Sequence, residues 1–229
     1  LEGISIMQNR KNKYRWLRWT LLIMLLIVSL AMIFNEQLKN LTVQHISNSA
    51  YHASLKDPQK SKGSFNFRKV KSLDVTTVAR AITNDSNAIA RLAIPSVSMR
   101  LPVFYGLDNN NLARGAGTMK PNQVLGKGNY ALAGHYMTDA GNLFSPLKRI
   151  QTAAYVYLTD NQQVYTYQVT NKQTIDEHQV SVIDDIPGKK LLTLVTCDSA
   201  TPNTPKRFIV QADLVKTAAA TQSTLRVFN

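Results

Sequence analysis

Between Trp16 and Phe34 the sequence reads WLRWTLLIMLLIVSLAMIF and carries no charge after Arg18. As a helix rising ~1.5 Å per residue, this run reaches roughly the ~30 Å of a bilayer's hydrocarbon core. It constrains the chain more than any other feature, because a helix that crosses a bilayer puts its two flanks in different compartments. Arg10, Lys11, Lys13, Arg15 and Arg18 stand at or before its start, and Asn35, Glu36 and Gln37 lie just past its end. The positive-inside bias then predicts residues 1–15 as a basic cytoplasmic tail, 16–34 as a single transmembrane signal-anchor, and everything after Phe34 outside the cell membrane. A cleaved signal peptide stays open as the alternative, since Ser29-Leu30-Ala31 offers a small-residue cleavage site. Met7, with the basic stretch after it, fits a native start, with residues 1–6 as an upstream remnant.

The whole chain has 229 residues, 44% of them hydrophobic, which suits one packed domain plus appendages. A formal net charge of +13 raises the question of a nucleic-acid partner. The basic residues outside the N-terminal flank form no stripe or recognised motif, so no nucleic acid is expected. Cys197 is the single cysteine, which excludes an intramolecular disulfide. A lone cysteine is ordinarily a small buried hydrophobe, and only its setting can argue for more.

After the apolar run, Leu38, Leu41, Ile46 and Ala50 are spaced as in a weakly amphipathic helix, and Lys56 to Ser64 is polar with Pro58 and Gly63. Residues 35–70 therefore read as an extracellular stalk and linker, and 71–229 as the folded domain. Asp74 is placed to cap a short helix whose inner face is Val75, Val78, Ala79 and Ile82. Beyond Asn87 the period becomes strand-like, with candidate strands at Ala90–Ile94, Leu101–Tyr105, Tyr130–Gly134, Ala154–Thr159, Val164–Lys172, Leu191–Cys197 and Phe208–Asp213. The fold class is mainly β with short helices, and a closed or nearly closed barrel accounts for so many short strands without exposed edges.

Cys197 ends the apolar strand Leu191-Leu192-Thr193-Leu194-Val195-Thr196. The next eight residues, Asp198 to Pro205, hold two prolines and several turn formers and cannot continue a central strand. An antiparallel return beginning at Arg207 brings that guanidinium back beside Cys197. A cysteine nucleophile needs a proton acceptor and a group that stabilises an oxyanion. Arg207 suits the second task, since guanidinium stays charged, presents rigid donors and favours thiolate in a neighbour. Among the histidines, His45 and His52 fall on the stalk and His178 in a polar loop beside Asp176 and Glu177. His135 closes the strand Tyr130-Ala131-Leu132-Ala133-Gly134, so it can share a rim with Cys197.

These residues resemble a known family. Thr193-Leu194-Val195-Thr196-Cys197 matches the TLxTC signature of sortases, Ala133-Gly134-His135 resembles the segment around the family histidine, and Arg207 lies where the family arginine opens the next strand. Leu92-Ala93-Ile94-Pro95, Gly106-Leu107-Asp108 and Gly115 to Met119 are similar to streptococcal-type class A members. The resemblance covers Asn87 to Leu214 and the anchor, and it implies an eight-stranded sortase-type β-barrel behind a transmembrane helix and stalk. It further implies a cysteine transpeptidase that cleaves an LPxTG-like sorting signal between Thr and Gly through a thioacyl intermediate. The protein partners are then LPxTG-type secreted proteins and a lipid-linked peptidoglycan precursor at the plasma membrane, whose amine resolves the intermediate. By the same resemblance Cys197 is the nucleophile, His135 the general acid and base, and Arg207 the clamp on substrate and oxyanion. Thr196, Asp198, Ala133 and Ala93 are the implied substrate-binding positions, with the Asp198 backbone N–H as a second oxyanion donor.

Some members bind calcium through carboxylates before the histidine strand. Between Asn109 and Gly134 this sequence has no Asp or Glu, while Lys120 and Lys127 stand there, so no metal and no other cofactor is expected, with Asp176, Glu177, Asp184 and Asp185 left open as an incidental calcium site. Three rivals are weighed. A purely hydrolytic cysteine protease lacks an assignable orienter for His135. A pilus-polymerising class C enzyme would carry a lid that Gly63 to Thr83 does not show. A non-enzymatic wall-binding module on a membrane stalk would leave Cys197 without a task.

Overall fold

The computed structural model describes residues 2–84, 86–201 and 204–229. Pro202 and Asn203, expected in the loop after Cys197, lie outside the described residues, as do the side chains of the basic tail up to Lys13. Two units divide the chain, residues 1–41 and residues 42–229. In the first, the apolar run forms the helix α1 (Glu2–Ile33). Its stretch Tyr14–Ile33, 20 residues, is long and apolar enough to cross a membrane. Trp16, Trp19, Leu22, Leu26 and Met32 on it are all exposed, a surface suited to lipid rather than water. A second helix, α2 (Asn35–His52), starts beyond it with Glu36 in its first turn, ion-paired to Lys39 at 2.7 Å.

In the second unit, strands built from β-branched and aromatic residues close into a barrel. The strands are β1 (Ala90–Ile94), β2 (Met99–Phe104), β3 (Ala116–Thr118), β4 (Asn129–Ala133), β5 (Tyr155–Thr159), β6 (Gln163–Asp176), β7 (Leu191–Cys197) and β8 (Lys206–Ala219). Around the barrel they run β1-β2-β3-β4-β7-β8-β6-β5. The β2–β3 and β4–β7 pairs are parallel and the other pairs antiparallel. The main core holds Leu92, Leu132, Leu158, Tyr167, Leu192 and Leu194, all essentially without solvent contact. Burial of each such side chain stabilises by about 1.5–3 kcal/mol. Because strand side chains alternate, the opposite faces of β4, β7 and β8 carry a second apolar cluster of Ala131, Val195, Ile209, Leu107, Leu112, Met119 and Ile183. This double coverage explains why β7 reads as an unbroken apolar run.

Two helical pieces flank the sheet: α3 (Val75–Ile82), capped by the Asp74 carboxylate on Thr77 N–H at 2.7 Å, and the single turn α4 (Asn109–Leu112). The expected strand positions hold, with differences that have physical causes. Ala116-Gly117-Thr118 gives no strand signal, being short and without alternation, yet it pairs with β2 and β4. A Cβ on Gly117 would lie 2.3 Å from the Gly106 carbonyl, so only glycine permits that approach. The strands β6 and β8 extend well past their expected ends: β6 continues through the polar Gln173 and Thr174 opposite Ile209 and Phe208, and β8 runs on past Asp213 opposite Tyr167 back to Gln163.

The boundary expected at residue 70 lies elsewhere. Residues 42–70, read as stalk and linker, belong to the barrel's unit. Val43, Ile46 and Ala50 form a buried stripe at helical spacing, which the weak overall amphipathicity of α2 conceals. The Tyr51 hydroxyl donates to the Phe228 carbonyl at 2.9 Å, and the Arg91 guanidinium donates to the carbonyls of Tyr51 and Ala53 at 2.6 and 3.0 Å. Farther along, Leu107 N–H donates to Ser64 O at 2.7 Å, and Asn109 bonds the backbone of both Lys69 and Lys71.

Candidate active site

Parallel pairing brings two strand ends to one rim. In the β4–β7 ladder Ala131 faces Thr193 and Ala133 faces Val195. Gly134 N–H extends the ladder to Val195 O at 3.1 Å, and the Thr196 hydroxyl donates to Gly134 O at 2.8 Å. His135 therefore emerges beside Thr196 and Cys197. Next to them β8 runs the opposite way, with Cys197 directly across from Arg207. Alternation puts Cys197 on the face of Val195, and Arg207 on the face of Ile209. The sulfur and the guanidinium thus stand at the end of the outer apolar row of Ala133, Val195 and Ile209.

His135 is held by packing. A Cβ on Gly134 would come within 2.6–2.8 Å of the Phe144 ring, so the ring fills the space a side chain would need. Phe144 N–H donates to His135 O at 3.0 Å, and Tyr136 bridges to Leu143, which folds the next loop back on the histidine. Met137 N–H bonds the Ser145 hydroxyl at 2.7 Å, and Phe144, Leu147 and Ile150 are fully buried beneath. His135 is itself 9% exposed, and its Nε2 has no hydrogen-bond partner among the described residues. That burial depresses its pKa from 6.5 to about 4, so the imidazole is neutral in the resting protein. A buried, neutral, unpartnered nitrogen is available to accept a proton.

Cys197 is half-buried. Burial pushes its thiol pKa up, Arg207 pulls it down, and Glu177 pushes it up again, with a net rise. The expectation that Arg207 favours thiolate thus holds in sign, but desolvation outweighs it. The guanidinium donates from Nη2 to Glu177 Oε2 at 2.6 Å and from Nη1 to the carbonyls of Thr204 and Lys206.

The chain that carries this constellation matches a known family. The Sortase domain family matches residues 92–215. Sortase A of Streptococcus agalactiae is 41% identical over 97% of this chain and 97% of its own length, and sortase A of Listeria monocytogenes is 40% identical over 90% and 95%. The chain belongs to the class A sortases. Among solved structures, a Listeria monocytogenes sortase A superposes with a TM-score of 0.60 at 44% identity, covering 62% of this chain and 97% of that one. Sortase C-3 of Streptococcus pneumoniae shares the fold with a TM-score of 0.57 at 22% identity, covering 83% and 92%.

In this sortase the structure gathers Cys197, His135 and Arg207 on one rim and disperses part of the implied substrate set. Ala133 is half-buried at the edge of the outer apolar cluster. Ala93 is fully buried against Tyr51, Val164 and Phe228 and has no surface to offer a substrate, because α2 and the C-terminal turn cover β1 there. Thr196 is 2% exposed with its hydroxyl committed to Gly134 O, so it positions the histidine strand rather than facing a ligand. Asp198 N–H is bonded to Lys206 O at 3.1 Å, which leaves it no free hydrogen for an oxyanion. The Asp198 carboxylate instead ion-pairs with Lys148 and accepts from the Thr174 hydroxyl at 3.1 Å, while Lys148 Nζ lies 4.4 Å over the Phe208 ring. Phe144, Lys148 and Glu177 were invisible as site residues in the sequence, since nothing local marks a residue that acts only through a distant partner. His178 lies exposed in the loop after β6, its N–H on the Asp176 carboxylate at 3.1 Å.

Proposed function

We propose that this sortase cleaves an LPxTG-like sorting signal between Thr and Gly and transfers the protein to the amine of a lipid-linked peptidoglycan precursor. The observation that carries the reading is the shared face: Cys197 and Arg207 stand at the end of an apolar row that suits the leucine and proline of such a peptide. As Sγ attacks the threonine carbonyl carbon, its proton passes to the unpartnered nitrogen of His135, and the carbonyl oxygen gains the negative charge. Arg207 stabilises that oxyanion. Its collapse breaks the C–N bond, and the imidazolium returns the proton to the leaving glycine amine. The incoming amine then attacks the thioester carbonyl and gives a proton to His135; collapse breaks the C–S bond, and the departing sulfur takes that proton back from the imidazolium, restoring thiol and neutral histidine. Because both resting groups are neutral at pH 7, the reactive thiolate is scarce and a modest turnover is expected.

The proposal includes an N-terminus in the cytoplasm and a catalytic unit outside, supported by the basic flank before α1. It requires no metal. Incubating the detergent-solubilised full chain with an LPxTG peptide and candidate amines, then reading the products by mass spectrometry, tests it. A product joining threonine to the added amine is expected; hydrolysis alone under saturating amine, or no cleavage, overturns it.

A further inference from the structure

We infer that Glu177 is a positioning residue for the transfer reaction: its carboxylate holds the Arg207 guanidinium at the rim and ties the loop after β6 to the loop after β7. The inference rests on the sorting-signal reading above.

The β6–β8 ladder ends with Ile175 across from Arg207 and Asp176 across from Lys206. Glu177 carries the pairing one step further through its N–H on Pro205 O at 2.8 Å, so its backbone is fixed to the segment that returns from Cys197. From there its side chain is the diagonal neighbour of Arg207, a separation that long side chains span. The pair closes at 2.6 Å with the two side chains 39% and 27% exposed, a setting less screened than open surface. Of the five guanidinium N–H groups, Nη1 serves two carbonyls and Nη2 serves Glu177. Among the described residues the Nε–H and one Nη2 hydrogen are left over. With three donors fixed by the protein, the fork is presented to a substrate carbonyl already oriented, which reduces the reorganisation needed when the oxyanion forms. Without Glu177, two backbone carbonyls on one nitrogen would leave the plane free to turn.

The other charged groups on the adjoining strand ends are Asp176, Asp198 and Lys206. Asp176 accepts from His178 N–H, Asp198 is paired with Lys148, and Lys206 stands opposite Asp176. His135 is neutral. Among the described residues Glu177 is the carboxylate paired with Arg207, so removing its charge acts on Arg207 and Cys197 directly. Glu177 also raises the thiol pKa, so its loss has a second, opposite signature.

The test uses the full chain in detergent, comparing wild type with Glu177→Gln, Glu177→Asp and, as a control, Asp176→Asn. Two readouts are taken: kcat/KM on an LPxTG peptide with an amine acceptor, and the pH dependence of Cys197 alkylation by iodoacetamide, unambiguous because the chain has one cysteine. Glu177→Gln is expected to lose roughly tenfold in kcat/KM, mainly in kcat, while its alkylation midpoint moves to lower pH. Glu177→Asp should recover part of the rate, and Asp176→Asn should match wild type in both assays. Wild-type kcat/KM in Glu177→Gln, an unmoved alkylation profile, or an equal loss in Asp176→Asn would each overturn the inference. If wild type itself forms no product, the sorting-signal reading fails, and the alkylation arm alone still judges the Glu177–Arg207–Cys197 coupling.

Discussion

The β4–β7 pair and the outer half of the β6–β8 ribbon deliver side chains to the same rim by different means. Cys197 and His135 sit at the ends of short, parallel strands buried on both faces, locked by Gly134 against Phe144 and by the Thr196 hydroxyl. Asn129 adds a buried bond from the Thr193 hydroxyl at 2.7 Å, so the two strands are joined by side chains as well as backbone. Arg207 comes from a long ribbon with register shifts at Thr166/Tyr167 and Val169/Asn171 and many polar, exposed positions. There the guanidinium is fixed by an ion pair and two carbonyls. Packing gives the proposed proton-transfer pair a rigid setting, dry at His135, whereas electrostatics gives the proposed oxyanion clamp direction and some freedom. Damage to the packing that holds the first region should appear in chemistry and stability together, whereas loss of the half-buried sulfur itself, or damage to the second region, should appear in chemistry alone.

The sharpest break is Cys197→Ala. In the proposed mechanism the sulfur makes the covalent bond, and a small residue is readily accommodated at this half-buried strand end, so product should vanish while thermal unfolding stays close to wild type. Detectable transpeptidation product by mass spectrometry would remove Cys197 from the mechanism. Next in size is Arg207→Lys, which keeps the charge and loses the fork. Loss of an oxyanion donor costs ~10²–10³ in rate, and a drop of that order in kcat/KM is expected with little change in unfolding. A lysine variant with most of the wild-type rate would mean that the ribbon contributes charge and no geometry.

The buried histidine should mark the first region in its stability. Its folded pKa of about 4 lies below the ordinary 6.5, so the unfolded chain binds the proton more readily between those values. Stability is therefore unaffected above pH 6.5 and falls as the pH drops toward 4. Between pH 7 and pH 4.5 the loss from this group is about 2–3 kcal/mol. The carboxylates with depressed pKa, such as Asp74 at about 2, act mainly below that window. Urea unfolding at the two pH values should show a clearly smaller loss in His135→Gln than in wild type. Equal losses would mean that His135 is hydrated rather than dry.

The same contrast explains how much of the molecule is legible in its sequence. Strands buried on both faces announce themselves by continuous apolar runs, and the Pro-rich segment after Cys197 forces a return, so Cys197, Arg207 and the strand bearing His135 all stand out. The polar half of the β6–β8 ribbon has no such pattern, which hides its length and with it the reach of Glu177 to Arg207. A three-residue strand such as Ala116–Thr118 carries too few positions for any periodicity. Residues 42–70 pass for a linker for a related reason: their hold on the barrel comes from single anchors such as Tyr51 and Asn109, each meaningful only once its distant partner is known.

The smallest expected effect concerns metal, and it sharpens the contrast by asking whether the polar ribbon side hides a cation site. Among the described residues no group of three or more His, Cys, Asp or Glu side chains is arranged to hold an ion. Two of the acidic residues between β6 and β7 are already engaged: Asp185 is paired with Lys120 at 2.6 Å and accepts from Asn129 N–H at 2.8 Å, and Glu177 is paired with Arg207. A calcium ion wants six to eight oxygens and would have to displace Lys120 to recruit Asp185. The proposal of a metal-independent enzyme therefore expects the rate on an LPxTG peptide to change by less than about twofold on adding EDTA or millimolar calcium, within ordinary ionic-strength effects. A several-fold stimulation specific to calcium, absent with magnesium at equal ionic strength and lost in Asp185→Asn, would show that the Lys120–Asp185 pair opens to admit the ion.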